Sequence, residues 1–406
     1  MSLRIFYRLR QAWGRFALWK RAVAIAISLC LLIQFAFAYS LWRESTLRQQ
    51  LAGKTIFYLG KSPLPPNVQQ QLQRFISPER LQLLAPIETA VINWPTDDDL
   101  RLISSLNIKH LTILSDNLNT IELKPLRAIS RLEALELEGN FVDAKALAPL
   151  TDCRKLRSLK IVGWLAAESL NPLHGCRLLD ELHVSATSAY VSESEDLFGP
   201  ITESHLAAIA RIPNLQTLVI HSPGMPIKVI DRLASAQRLE GLYLKDVDLQ
   251  NGLLNGLSEM PQLRLLSLSS DSSQRVEPIQ GFPALTTLAL HGARISPQFI
   301  NSLQRVPRLE TLSFSGSWVN ESLFALAKNP RIKRLDLEGS DADVEGIRRI
   351  GRLYSLEVLQ TSGFQDPEEY RDLFPRLQSR PAFAWNFGLD KGTWRYGAPM
   401  GGGGFY

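Results

Sequence analysis

Few residues in this chain have the type and spacing to do chemistry. Its 406 residues include three cysteines and six histidines. Cys153 and Cys176 stand one sequence period apart, before the similar hexapeptides LRSLKI at Leu156 and LDELHV at Leu179. Outside a reducing compartment such a pair can close a disulfide. Their column is otherwise apolar, which favours two thiols packed as small hydrophobes. Cys30 lies in an uncharged run and is expected to pack there. His110, His183, His221 and His291 fall at outward positions of the expected strands. Zinc needs three or four converging ligands, and only His183 and His221 belong to consecutive copies. These histidines therefore read as solvated groups on a recognition surface, with no metal. No G-x-S-x-G, H-E-x-x-H, phosphate-loop or G-x-G-x-x-G pattern occurs. The expectation is a non-enzymatic protein without a cofactor. Asn320-Glu321-Ser322 matches a glycosylation tripeptide, a common pattern.

The elements that position these residues form a repeat. The pattern L-x-x-L-x-L, or a close variant, starts at Ile108, Leu132, Leu156, Leu179, Leu215, Leu239, Leu263, Leu285, Leu309, Ile332 and Leu356. The successive steps are 24, 24, 23, 36, 24, 24, 22, 24, 23 and 24. IETAVI at Ile87 is a degraded first copy. Each hexapeptide predicts a short strand, and strands of successive copies are expected to stack in parallel. The rest of each copy returns the chain, with helical spacing in Ala144–Leu150, Glu321–Leu326 and Glu345–Ile350. Three residues before each first leucine stands a second column, Ile129 to Leu353, apolar in all but Asn329. No single coil can bury such leucines alone, so neighbours must share one continuous core.

These hexapeptides and their period resemble the leucine-rich-repeat family, particularly bacterial repeats of 23–24 residues, over about residues 86–363. The resemblance implies an α/β solenoid, a right-handed superhelix with parallel strands on the concave face and helices or turns on the convex face. It also implies macromolecular binding, a fold-level analogy. In one respect the chain departs from the family. The asparagine that usually follows the last leucine is mostly Gly, Ser or Asp, with Asn140 the nearest match. The loop hydrogen bonds must then be made by other groups.

With the register fixed, the outward residues follow. The central column runs Thr112, Glu136, Lys160, His183, Val219, Tyr243, Ser267, Ala289, Ser313, Asp336, Gln360. Leu265 stands in the column before it, His221 and Lys245 in the column after. Val219, Tyr243 and Leu265 form a partly apolar centre with the composition of a binding hot spot. The 36-residue step places about 12 extra residues within Ser185–His205, including Tyr190 and Phe198. Such an insertion becomes a loop on one face, either a rim of the binding surface or a tolerated surface loop. The expected protein-binding residues are Val219, Tyr243, Leu265, His221, Lys245, Tyr190 and Phe198. The C-terminal half of the face is small and polar.

The formal net charge is +5. Residues 1–21 carry six cations and no acid, so the remainder is close to neutral, and nothing there matches a nucleic-acid binder. Residues 22–42, AVAIAISLCLLIQFAFAYSLW, are uncharged. As a helix they span roughly 30 Å, a bilayer core. The preceding cations keep the N-terminus cytoplasmic, which leaves the repeats periplasmic or extracellular. Ala36-Phe37-Ala38 also fits a cleavage site, so a secreted form is the alternative; a buried core helix is the third reading. Residues 43–85 read as a linker and N-terminal cap, and 364–406 as a C-terminal cap with a Gly- and aromatic-rich tail. A single-pass protein that binds a protein partner is the expected function. The alternative is an envelope scaffold that leaves its concave face unused.

Overall fold

The computed structural model describes residues 39, 46–51, 53–59, 87–186, 201–223, 225, 227–247, 253–270, 275–350 and 353–361. Two compact units divide at residues 87 and 88. In the first, residues 46–50 are helical and a strand β1 runs Thr55–Leu59, with Leu47 and Leu51 buried. No helix among the described residues is long and apolar enough to cross a membrane. The expected spanning segment 22–42, apart from Tyr39, lies outside them, as do the linker from 60 to 86 and the tail from 362.

The second unit is built on strands β2 (Ile87–Asn93), β3 (His110–Leu114), β4 (Ala134–Val142), β5 (Ser158–Leu165), β6 (Glu181–Ser185), β7 (Thr217–His221), β8 (Gly241–Lys245), β9 (Leu265–Ser269), β10 (Thr287–His291), β11 (Thr311–Ser313), β12 (Arg334–Leu337) and β13 (Val358–Thr361). They pair in strict sequence order, each parallel to the next. Each falls on one copy of the repeat, IETAVI included. The middle leucines pair with one another: Leu111, Leu135, Leu159, Leu182, Leu218, Leu242, Leu266, Leu288, Leu312, Leu335 and Leu359 form one column. Nearly all are fully buried. A coil alone would leave its leucines wet; stacked, each is covered by the coil before and after it.

The second apolar column is equally well defined. Ile129, Cys153, Cys176, Ile212, Met260, Phe282, Val306, Asn329 and Leu353 are all buried. At most of these positions the carbonyl accepts from the first leucine of the strand that follows, as in Leu156 N to Cys153 O at 3.0 Å and Leu356 N to Leu353 O at 3.0 Å. This turn closes the return segment and feeds the chain into the strand. The return segments mix α and 3-10 turns: Ala144–Leu147 is α-helical and Ala148–Asp152 is 3-10, whereas Asn320–Lys328 is 3-10 throughout. Two longer α-helices are Asp97–Ser104 and Glu203–Ala210.

Buried serines supply hydrogen bonds between coils. Ser317, buried, accepts from Ala293 N (3.1 Å) and donates to Leu290 O (2.9 Å) in the preceding coil. Ser222 accepts from Ile201 N at 2.8 Å. Ser302 accepts from Ile279 N at 2.9 Å, and Ser322 donates to Ile295 O at 2.5 Å. A hydroxyl is both donor and acceptor, so one serine can satisfy an N–H and a C=O of the neighbouring coil. In the glycosylation tripeptide, Ser322 is thereby fully buried and engaged.

One glycine is indispensable. The β4–β5 ladder shifts register between Glu138 and Phe141. There Gly163 adopts φ +145°, and a Cβ on it would lie 1.7 Å from the Gly139 carbonyl oxygen. The close approach of the two backbones carries the strands past the irregularity.

Candidate recognition surface

The ladders place the central outward column residue for residue: Thr112, Glu136, Lys160, His183, Val219, Tyr243, Ser267, Ala289, Ser313, Asp336 and Gln360 pair in register. Val219 pairs with Tyr243, while Leu265 pairs with Gly241 and so stands diagonal to Tyr243. All three side chains are half-buried. Gly241 lies beside the Tyr243 ring. A Cβ there would make ordinary contact with Tyr243 Cε2 at 3.6 Å and Thr217 Oγ1 at 3.7 Å. Burial, and secondarily the charge of Glu181, pushes the Tyr243 phenol above its ordinary pKa. Tyr243 is a neutral, partly sunken platform.

Around it lie charged groups already paired. Lys160 and Glu136 form an ion pair at 2.5 Å. His221 bridges two coils: its Nδ1 lies 3.3 Å from Ser185 Oγ, and its Nε2 meets the Asp246 carboxylate. Asp246 sits in the left-handed region (φ 59°) to reach it, a conformation that Asp tolerates better than most residues. Serine, histidine and acid in a row resemble a nucleophile relay, but the Ser185 side chain is buried. The group therefore acts as a tie across β6, β7 and the turn after β8.

His183 and His221 belong to adjacent coils, in neighbouring outward columns. The register pairs His183 with Val219 and Ser185 with His221, one column apart, as the sequence columns have them. Burial first, then Lys160, His221 and Lys245, lowers the His183 pKa to about 4. Among the described residues no cluster of three or more His, Cys, Asp or Glu could hold a metal. Lys245 is exposed. Tyr190 and Phe198, expected on the rim, lie outside the described residues. Cys153 and Cys176 are free thiols, and burial pushes them up to about 12 and about 11.

Ser313 was expected to face solvent; it is fully buried, as is Ala289, and Asp336 is nearly so. Ser313 Oγ donates to Asp336 Oδ2 at 2.7 Å, and Glu338 N donates to Asp336 Oδ1 at 2.9 Å. Short side chains on a pleated face sink below longer flanking ones, so pointing outward does not ensure exposure.

Two groups escaped the sequence reading. His205, assigned to the insertion, is a buried structural residue. Thr202 N donates to its Nδ1 (3.1 Å), and its Nε2 lies 2.8 Å from Ala166 O in the preceding coil. It fills the third helical position of a capping box, where glutamate or glutamine is usual. The second group is a flank column at or just past the strand ends. Phe141 and Trp164 pair in register with ring centroids 4.5 Å apart. Arg275, Arg294 and Trp318 are bridged in register farther along. Each precedes a buried residue: Val142, Leu165, Val276, Ile295 or Val319. That alternation was the available signal, but it lies outside the hexapeptide.

No family model and no curated protein matches this chain. Solved structures do. An internalin from Listeria monocytogenes is 16% identical, over 77% of this chain and 94% of that one, with a TM-score of 0.38. The Toll–Spatzle complex of Drosophila matches at 15% identity, over 66% of this chain and 38% of that one, with a TM-score of 0.40. A leucine-rich-repeat protein of Leptospira interrogans matches at 14% identity, over 82% and 97%, with a TM-score of 0.33. These are likenesses of fold only. Consensus leucines at a fixed period, building parallel strands in register, give this chain the leucine-rich-repeat fold.

Proposed function

We propose that the chain is a non-enzymatic protein-binding solenoid, held to a membrane by residues 22–42 with its repeats on the extracytoplasmic side. The tether rests on 21 uncharged residues with six cations before them and none within. The binding role rests on one observation above the rest: consecutive coils set Val219 beside Tyr243 and Leu265 diagonal to it. Adjacent strands are about 4.8 Å apart, so the three fall within roughly 10 Å. A large neutral ring with apolar neighbours and a fixed polar surround is the composition of a hot spot. His221 and Lys245 border the patch on the following column.

The test has two arms. A reporter that works only outside the cytoplasm, fused after Tyr406, should be active; activity of a cytoplasm-only reporter would reverse the orientation. In the second arm Tyr243→Ala should weaken retention of the co-purifying partner about thirtyfold, or roughly 2 kcal/mol. Thr311→Ala, a half-buried outward residue three coils away, should leave it unchanged. Equal retention by both folded variants would remove the case for this patch.

A further inference from the structure

Away from that face, the flank column opens into a pocket of about 480 Å³. Its walls include Arg275, Arg294, Gln298, Trp318, Glu321 and Asp341. The backbones of Arg275, Arg294 and Trp318 are bridged in register, so three consecutive coils present two guanidinium groups and an indole side by side. Trp318 is 42% exposed, and both arginines are exposed. Neither arginine makes an ion pair or a side-chain hydrogen bond to any described residue. The carboxylates present do not quench them. Asp341 spends Oδ1 on the backbone N–H groups of Val319 (2.6 Å) and Asn320 (2.9 Å). Ser296 accepts from Phe299 N, and Ser322 donates to Ile295 O. The groups left for a ligand are thus two guanidinium forks, one flat ring, and the Gln298 and Glu321 side chains.

We propose that this pocket binds an acidic sugar, a pyranose bearing a carboxylate, with its ring on Trp318 and its carboxylate held by Arg275 and Arg294. Glu321 and Asp341 line the same pocket without pairing to either arginine, so both guanidinium forks stay open to a ligand carboxylate, which a guanidinium grips through two parallel hydrogen bonds. The carbon–hydrogen face of a pyranose fits the exposed indole, and its hydroxyls fit groups that both donate and accept, such as Gln298, or accept, such as Glu321. The volume lies in the usual range for a small-molecule site. An extended acidic peptide suits the site less well. It could meet the arginines but would leave the flat face of Trp318 without a ring to stack on, and it cannot add as a strand at Arg294, which is already bridged on both sides. This site shares no residue with the Tyr243 surface, so the two readings stand or fall separately.

The full-length protein in detergent micelles is titrated calorimetrically with trigalacturonic acid, maltotriose and hexaglutamate. Trigalacturonic acid should bind at least about tenfold more tightly than either of the others. Trp318→Ala and Arg294→Gln should each weaken it about tenfold, with melting temperatures unchanged, whereas Trp318→Phe, which keeps a flat ring, should retain binding. Absence of binding by the unaltered protein would overturn the proposal. So would equal binding by Trp318→Ala or Arg294→Gln, or loss in Trp318→Phe equal to that in Trp318→Ala. Hexaglutamate binding as tight as that of trigalacturonic acid, and indifferent to Trp318, would instead mark a general acidic-peptide surface and also overturn it.

Discussion

The two halves of the central outward column share one register and behave differently. From Glu136 to Tyr243 the side chains are long, half-buried and chemically varied: an ion pair, a histidine of lowered pKa, an apolar residue and a ring. From Ala289 to Asp336 they are short and buried, and their polar atoms are consumed by one another. The backbone ladder is the same in both. Side-chain length and the size of the flanking residues decide whether an outward position meets water. The first half therefore presents varied side chains to solvent, and the second half of the column serves as packing.

The core beneath both halves should give the largest effect. Leu266 is completely buried in the middle-leucine column. Leu266→Ala should cost about 2–5 kcal/mol in thermal or denaturant melts. Ser267→Ala, one residue on and half-buried, should stay within about 0.5 kcal/mol. Equal costs for the two would mean that the inward and outward positions are exchanged.

Asp336→Ala sharpens the contrast between the halves. It strips partners from the Ser313 hydroxyl and the Glu338 N–H, and an unsatisfied buried polar group costs about 1–3 kcal/mol. Lys160→Ala, in the other half, breaks an ion pair whose two side chains are 26% and 19% exposed. It leaves Glu136, which still reaches water, without that ion pair. Its expected cost is about 1 kcal/mol or less. A larger loss from Lys160→Ala than from Asp336→Ala would erase the distinction drawn between the halves.

Much of this was legible in the sequence, for a physical reason. A period near 24 and leucines at fixed offsets leave one way to bury every apolar side chain, and that fixes both register and column membership. The predicted columns therefore match the ladders from Thr112 to Gln360. What could not be read was depth. Ser313 looks like any outward serine until its neighbours are placed, and Tyr243 looks exposed until the half-burial of its ring is seen. Pairings across three coils, such as Ser185–His221–Asp246, depend on turns whose conformation no repeat pattern encodes. The flank column was missed because its residues follow the hexapeptide at uneven distances, the bulge after Glu138 being one cause.

Acidification should separate the halves by the smallest effect of the set. In the folded protein His183 has a pKa of about 4, set by burial and then by Lys160, His221 and Lys245. In the unfolded chain it returns to about 6.5. Above about pH 6.5 both states hold it neutral, and it contributes no pH dependence. As pH falls from 6.5 toward 4, the unfolded state takes up a proton that the folded state refuses, so stability falls over that window. The full shift would correspond to roughly 3 kcal/mol, but the side chain is only half-buried and water relaxes part of this. About 1 kcal/mol between pH 7 and pH 4.5 is the expected share. His110, His205 and His291, also lowered chiefly by burial, add to the slope in the same direction. The comparison is His183→Gln against the parent protein in urea melts at both pH values. The variant should lose less stability on acidification, because glutamine cannot take up the proton. An unchanged pH slope would show that His183 is as freely solvated in the folded protein as in the unfolded chain, and the N-terminal half of the column would then lack the partly buried character that distinguishes it.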